Sequence, residues 1–205
     1  MHVISGKLTD FSDNPLNGGQ IILKGDDFED LLTVVTDAEG RFTLSAKSNT
    51  YNALYAVKDY KTKFLEFWFW DLPLNRDLDL HIKIDGLEIY GIKAWRTWRG
   101  ALVYFRPMSL KRYVALGRPD KTKLALISPQ LRIEDINVSL DGRSTQVWAI
   151  NKVQEKADSS ENYMDAYLIH IDDQRSTKGT DWQMLRIELF DRETGEHGQG
   201  CAPLK

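Results

Sequence analysis

The chain has 205 residues, of which 42% are hydrophobic and 28% charged, and its formal net charge is −3 at pH 7. This composition is typical of a folded globular protein and argues against a disordered chain. No apolar run approaches the roughly 18 residues that a membrane helix requires. The single cysteine, Cys201, excludes an internal disulfide. Since the first residues lack the layout of a secretion signal, we expect a cytoplasmic protein if the chain is complete, and the compartment stays open if it is a mature fragment.

Short β-type segments separated by turn residues follow one another through the first part of the chain. The predicted strands are Val3–Thr9, Gly19–Leu23, Leu31–Thr36, Arg41–Ser45, Asn52–Lys58, Phe64–Trp70 and Leu78–Ile84. Polar and apolar residues alternate in the last of them, which is the pattern of a strand with one buried face. Seven short strands with regular turns predict an all-β sandwich over residues 1–85.

A domain boundary is predicted near Asp85-Gly86, and residues 86–205 are expected to form a second β-sandwich, immunoglobulin-like in general terms. The predicted strands are Leu87–Lys93, Ala101–Phe105, Arg112–Leu116, Lys123–Ile127, Arg132–Leu140, Thr145–Lys152, Tyr163–Ile171 and Gln183–Asp191. Residues 154–162 and 172–181 are polar, and each is predicted as a mobile loop or one short helical turn. Residues 196–200 are predicted as a flexible glycine-bearing tail. No stretch of 12 residues keeps an apolar period of 3.6, so no strong helix is predicted.

Turn features in the first part resemble a known family. Gly6 lies in the first strand, Pro15 opens the first turn, Gly18 and Gly19 follow, and the segment 36–42 reads TDAEGRF, a tight turn that opens a strand. These features resemble the carboxypeptidase regulatory-like domain, a transthyretin-like (prealbumin-like) sandwich of seven strands. Members of that family usually have a small residue such as alanine where Gly19 stands. The resemblance covers about two-fifths of the chain and implies an accessory role without catalytic residues.

Residues suited to catalysis or metal binding are sparse. The four histidines, His2, His81, His170 and His197, do not have the spacing of a zinc site. The chain also lacks a nucleophile elbow, a phosphate-binding loop and a dinucleotide-binding motif. The carboxylates of residues 26–30 could hold Ca²⁺, but they match no EF-hand. We therefore predict a protein that is not an enzyme and needs no metal or cofactor.

Residues 93–123 are both basic and aromatic. They carry nine lysines and arginines against Asp120 alone, whereas both flanking parts are acidic. The residues predicted to bind a ligand are Trp95, Arg96, Trp98, Arg99 and Tyr104, the rings by stacking and the arginines by hydrogen bonds or charge pairing. A carbohydrate or an acidic protein surface would suit them, whereas the acidic total charge disfavours nucleic acid. The alternative is that these basic residues pair with carboxylates of the flanks and join the two sandwiches.

The segment Phe64–Trp70 is apolar on both faces. Phe67 and Phe69 alternate with Trp68 and Trp70, so one pair is expected to fill the first core and the other pair needs a cover. An interface with the second domain is one alternative. An exposed aromatic platform, or a contact between copies in a homo-oligomer, is the other.

The sequence thus predicts a non-catalytic binding or accessory protein that recognises carbohydrate or a cell-envelope glycan. The alternative is a structural or adaptor protein that docks on a protein partner, or on itself, through its aromatic and basic surfaces. The six tryptophans distinguish the two. Two or more exposed on one face favour ligand binding, and six buried tryptophans favour an adaptor.

Overall fold

A computed structural model describes residues 1–118, 125–156, 162–173 and 181–205. Within these ranges the strands are β1 (His2–Thr9), β2 (Gln20–Lys24), β3 (Asp30–Val35), β4 (Arg41–Ala46), β5 (Asn49–Val57), β6 (Phe67–Leu74), β7 (Leu78–Lys83), β8 (Leu87–Arg96), β9 (Ala101–Ser109), β10 (Ile136–Leu140), β11 (Arg143–Thr145), β12 (Val147–Lys156), β13 (Tyr163–Ile171), β14 (Gln183–Asp191) and β15 (Glu196–Leu204). A short helix α1 (Leu110–Ala115) and a 3-10 turn (Ile133–Asp135) complete the elements. The predicted all-β fold class is confirmed.

The strands form three sheets. Sheet 1 has the order β4-β1-β7, sheet 2 the order β11-β10-β14-β15-β6-β5-β2-β3, and sheet 3 the order β12-β13-β9-β8. Neighbouring strands are antiparallel except in the pairs β1–β7 and β6–β15, which are parallel. Sheet 2 therefore contains strands from both halves of the chain.

Two hydrophobic cores lie against sheet 2. The first core, between sheet 1 and the N-terminal strands of sheet 2, contains Leu8, Leu54 and Leu80. The second core, between sheet 3 and the C-terminal strands of sheet 2, contains Phe105 and Ile187. The molecule is thus two sandwiches that share one long sheet.

Strand β6 contributes to both cores because alternate side chains of a strand point to opposite faces. Phe67 and Phe69 are 1% and 0% exposed in the first core, and Trp68 and Trp70 are each 6% exposed in the second. Residues of the second half, including Tyr90, pack on the two tryptophans, as the first alternative for this segment required, and Phe28 of the first half packs on them too. The prediction of an exposed platform here is wrong, because all four rings are buried within the chain.

The pairing of β6 with β15 also shows that the strands predicted to form a sandwich over residues 1–85 are joined to the rest of the chain in one sheet. Trp68 pairs with Gly200, and Phe69 pairs with Cys201, so the two halves are joined through one sheet. Ile84 belongs to the first core and Leu87 to the second, although Trp182 and Cys201 of the second half also lie in the first core. A division into domains 1–85 and 86–205 stays a prediction.

The predicted flexible tail at residues 196–200 is instead part of β15, an interior strand of sheet 2. Its glycines allow β8 to pack closely on it. A Cβ atom on Gly198 would lie 2.6 Å from the Leu87 carbonyl oxygen, and one on Gly200 would lie 2.6 Å from Ile92 Cδ1. Glycine marks close packing at this place rather than freedom of the chain.

Other local predictions also need correction. The sequence predicts a strand at residues 112–116, but residues 112–115 belong to α1. This helix begins after Ser109, whose hydroxyl accepts the Arg112 N–H (3.2 Å) as an N-cap. The strand expected at 132–140 begins only at Ile136. The strand expected at 123–127 lies partly outside the described residues, and its described part, 125–127, is a helical turn. The predicted loops 154–162 and 172–181 also lie largely outside the described residues, although 154–156 belong to β12.

The predicted turn at residues 36–42 is confirmed. Asp37 Oδ1 accepts the backbone N–H groups of Glu39 (3.0 Å) and Arg41 (2.7 Å), and Gly40 has a φ of 75°. A side chain would be strained at that angle, and its Cβ would lie 2.4 Å from the Leu8 carbonyl oxygen. Local chemistry therefore specifies this turn.

Candidate ligand-binding face

One face of sheet 3 packs on the second core and the other points away from it. Along β9, Ala101, Val103 and Phe105 are completely buried, whereas Leu102 and Tyr104 between them are partly exposed. Because successive side chains of a strand alternate between faces, Leu102 and Tyr104 define the outward side. We call this side the outer face of sheet 3.

Two rows of neighbouring residues cross the outer face. The first row runs Trp95, Leu102, His170, Ala149, and the second runs Lys93, Tyr104, Leu168, Asn151. Neighbouring strands lie about 4.8 Å apart, so a row across four strands spans about 14 Å. The two rows are about 7 Å apart, because their residues are two positions apart on each strand. The face is thus wide enough for a ligand larger than one ring.

Three tryptophans are exposed at one end of this face. Trp95 is 43% exposed and Trp148 is 41% exposed, while Trp98, in the turn between β8 and β9, is 91% exposed. Trp148 lies at the irregularity of β12 next to Ala149, and its ring meets that of His170 edge-on, with centroids 4.8 Å apart. The remaining tryptophans of the chain are buried. This distribution meets the criterion set for ligand binding.

The turn that carries Trp98 is held against β13. His170 Nε2 donates a hydrogen bond to the Arg99 carbonyl oxygen (2.8 Å). Gly100 has a φ of 87°, and a Cβ atom on it would lie 2.2 Å from the Ile171 carbonyl oxygen and 2.9 Å from Trp148. Glycine at position 100 therefore lets the turn that carries Trp98 approach Trp148 closely.

The structure separates the five predicted ligand residues. Trp95 and Tyr104 lie on the outer face, and Trp98 and Arg99 lie in the exposed turn beside it. Arg96 pairs with the buried Ala101 and so points to the opposite side, where it forms an ion pair with Asp173 and donates to Gln183 Oε1 (2.7 Å).

Tyr104 is held by a neighbour on the same face. Its hydroxyl donates a hydrogen bond to Glu155 of β12. Burial and this hydrogen bond raise the pKa of Tyr104, so its hydroxyl stays protonated. It can offer its ring and hydroxyl oxygen to a ligand but carries no charge.

Four basic residues of the segment 93–118 pair with carboxylates outside it, but only the Lys93–Asp71 pair among these connects the two halves of the chain, so the alternative that these residues join the two sandwiches stays a prediction. The pairs are Lys93–Asp71, Arg96–Asp173, Arg106–Glu155, Arg112–Asp191 and Arg112–Glu193. The charge of these four residues is compensated locally.

Sequence reasoning missed Trp148 and His170. Both lie in segments that were correctly predicted as strands, but neither segment is close to residues 93–104 in the sequence. Only the order β12-β13-β9-β8 brings them beside Trp95 and Trp98. The signal available in the sequence was Trp148 itself, a large aromatic residue in the predicted strand 145–152.

A cavity of about 150 Å³ lies beside Glu88 and Met108, at the ends of β8 and β9 away from the turn that carries Trp98. It is lined by Tyr60, Lys61, Leu65, Glu88, Met108, Ser109, Tyr113 and Ile127. The Glu88 carboxyl group is buried and accepts a hydrogen bond from Trp68 Nε1 (3.0 Å). Burial, and next the nearby Glu66 carboxylate, raise the pKa of Glu88 to about 8. Glu88 is therefore mostly protonated at neutral pH.

Among the described residues, no cluster of three or more His, Cys, Asp or Glu side chains could hold a metal ion. In the same ranges, no helix has the length and apolar character needed to cross a membrane.

No protein-family model and no curated protein matches this chain. Solved structures that it resembles include the major pilin subunit BcpA of Bacillus cereus (11% identity, 99% of this chain and 68% of that chain, TM-score 0.32). A candidate carbohydrate binding protein from Bacteroides uniformis is 12% identical over 100% and 98% of the chains, with a TM-score of 0.33. A DUF3823 family protein from Bacteroides ovatus is 10% identical over 100% of both chains, with a TM-score of 0.29. At these TM-scores the similarity carries no argument about function, and the resemblance to the carboxypeptidase regulatory-like domain is not confirmed.

Proposed function

We propose that the protein is a non-catalytic binding protein that recognises a neutral carbohydrate on the outer face of sheet 3. The observation that supports this function is the exposure of Trp95, Trp98 and Trp148 at one end of that face. Large aromatic side chains exposed together on a soluble protein mark interaction sites. A sugar ring presents a C–H face that packs on an indole ring, and its hydroxyl groups need polar partners nearby.

Residues between the tryptophans and in the neighbouring row supply such partners. His170 and Tyr104 lie within the two rows, and Lys93 and Asn151 end the second row on opposite sides. These groups are spread over the face rather than gathered in one pocket. This arrangement suits a ligand with many dispersed hydroxyl groups.

The charge of the site favours a neutral glycan over an acidic one. Lys93 is paired with Asp71 (2.5 Å) and Arg96 lies on the other side of the sheet, so that of the two arginines predicted to bind a ligand only Arg99 is exposed beside Trp98. An acidic polysaccharide would have to break such pairs to gain a contact. Binding of a neutral glycan should also depend little on salt, because screening acts on charged partners.

The proposal is tested by retention of the purified protein in gels that contain neutral polysaccharides, with alanine substituted at Trp95 or at Trp98. Each substitution removes a stacking surface, so we expect binding to weaken by about tenfold or more, which corresponds to about 1.4 kcal/mol. Phe190→Ala is the matched control, because Phe190 is 37% exposed and lies on sheet 2.

Stability measurements separate a binding role from a packing role. Trp98 is almost fully exposed, so Trp98→Ala should leave the midpoint of urea unfolding unchanged. If Trp98→Ala and Trp95→Ala bind every polysaccharide as the wild type does, the site is elsewhere. Equal loss in the Phe190→Ala control would equally contradict this assignment.

A further inference from the structure

Strand β3 is the last strand of sheet 2 and has β2 as its only strand neighbour among the described residues. Every residue from Asp30 to Val35 is at least partly exposed. Its apolar side chains are unusually accessible, with Leu31 at 45%, Leu32 at 39% and Val35 at 60% exposure, and Phe28 before it at 40%. Several large apolar side chains are therefore exposed within eight consecutive residues.

The free side of β3 offers backbone hydrogen-bonding groups. The Thr36 N–H donates to the Gly19 carbonyl oxygen (2.9 Å), and the Gly18 N–H donates to the Thr36 carbonyl oxygen (3.0 Å), both towards β2. Since alternate residues of an antiparallel strand direct these groups to opposite sides, Val35 and Thr33 direct theirs outward. These two residues can together donate two hydrogen bonds and accept two from an added strand.

Among the described residues, the edge formed by residues 31–36 lacks most of the usual protection against strand addition, although β3 begins with the charged Asp30 and its pairing with β2 is irregular between Leu23 and Lys24. Exposed edge strands are normally blocked by lysine, proline, an inward charge or a covering segment. Residues 31–36 read LLTVVT and contain no charged residue, proline or glycine. An edge of this length with so little protection is the type of surface that binds peptides by β-augmentation.

The charges at both ends of the edge indicate what kind of strand fits. The loop before β3 carries the exposed carboxylates Asp26, Asp27 and Glu29, and the turn after it carries Asp37 and Glu39. A second copy of this chain, paired antiparallel about Thr33, would bring Glu29 opposite Asp37. Because like charges placed opposite each other are destabilising, the ends of the edge disfavour self-pairing and favour a partner with basic ends.

We propose that β3 is a docking edge for an extended apolar segment of another protein that is flanked by lysine or arginine residues. The segment adds an antiparallel strand to sheet 2, covers the exposed side chains of β3, and places its basic ends near the two acidic turns. This interaction uses a different sheet from the proposed glycan site, so each can fail without the other.

The test uses a fluorescein-labelled peptide in which valine and threonine alternate between two pairs of lysines, with binding followed by fluorescence anisotropy. Val35→Lys places a positive charge at the edge, which repels the lysines of the peptide. Thr33→Pro removes one outward N–H while leaving the bonds to β2 in place. We expect each variant to bind the peptide about tenfold more weakly than the wild type. Thr43→Lys, on the edge strand β4 of sheet 1, is the matched control and should bind normally.

Two further measurements make the proposal falsifiable. A peptide with glutamates in place of lysines should not bind, and added salt should weaken binding of the lysine peptide. Equal binding of the lysine peptide to Val35→Lys and the wild type, with both proteins folded by circular dichroism, would overturn the proposal. A wild-type dimer in sedimentation that Val35→Lys dissociates would overturn the proposed occupant, because a second copy would then hold the edge.

Discussion

Replacing Glu88 by glutamine should change how the stability of the protein depends on pH. The Glu88 carboxyl group is buried, and its hydrogen bond from Trp68 Nε1 (3.0 Å) needs only an acceptor oxygen. The amide oxygen of glutamine can accept the same bond. Glu88→Gln therefore removes the ionisable group while keeping size and hydrogen bonding nearly the same.

The magnitude follows from the pKa of Glu88, which burial raises from 4.5 to about 8. Between these values the folded protein keeps a proton that the unfolded chain has lost, so the free energy of unfolding falls as pH rises, by about 1.4 kcal/mol per pH unit. The contribution of Glu88 protonation to the free energy of unfolding is fully present below pH 4.5 and is lost by about pH 8. The whole effect is about 5 kcal/mol.

The assay is urea unfolding, followed by tryptophan fluorescence, of the wild type and Glu88→Gln between pH 5 and pH 8. The free energy of unfolding of Glu88→Gln, relative to that of the wild type, should rise by about 4 kcal/mol from pH 5 to pH 8, since only the wild type must ionise a buried carboxyl group. Glu39→Gln, at an exposed position, controls for the loss of one carboxylate. A difference between Glu88→Gln and the wild type that does not change with pH would refute the argument.

Two other predictions concern buried groups. Arg112 donates hydrogen bonds from Nε (3.0 Å) and Nη2 (3.1 Å) to the carboxylate of Asp191, whose side chain is 2% exposed. Arg112→Ala should therefore lower the free energy of unfolding by about 3 kcal/mol, and Arg112→Lys should recover part of it. Unchanged midpoints of urea unfolding would disprove this prediction. Burial raises the pKa of Cys201 to about 11, so a thiol reagent at pH 8 should modify the folded protein about a hundredfold more slowly than the urea-unfolded chain. Fast modification without unfolding would contradict this burial.

Local patterns in the sequence were sufficient for most strands of the fold. The period-two alternation of β7 and the turn built on Asp37 and Gly40 depend on neighbours within a few residues. Patterns of this kind can be interpreted without knowing what lies across the sheet. For the same reason, the all-β class and the turn at residues 36–42 were predicted correctly.

Glycine-rich and amphipathic segments were harder, because their meaning depends on contacts. The segment 196–200 looks like a flexible tail until β8 is seen to pack on Gly198 and Gly200. The six residues of α1 are too few for a helical period to show, and their start is set by the N-cap Ser109. Here the local pattern was compatible with more than one structure.

The candidate site was predicted only in part. Its aromatic and basic composition was visible in residues 93–104, and Trp95, Trp98 and Tyr104 do lie on or beside one face. The opposite orientation of Arg96 follows from the register of β8 with β9. Trp148 joins the site through the position of β12 at the edge of sheet 3.

The amino-acid sequence by itself determined that this protein is built of short strands joined by tight turns, since alternation and turn chemistry act over a few residues. Tertiary structure decided that β6 pairs with β15, that Trp68 and Trp70 are buried while Trp95 and Trp98 are not, and that β3 is the last strand of sheet 2 among the described residues. Pairing between distant strands selects which face of each strand meets the core. A one-residue change of register would exchange those faces, and local sequence cannot specify that choice.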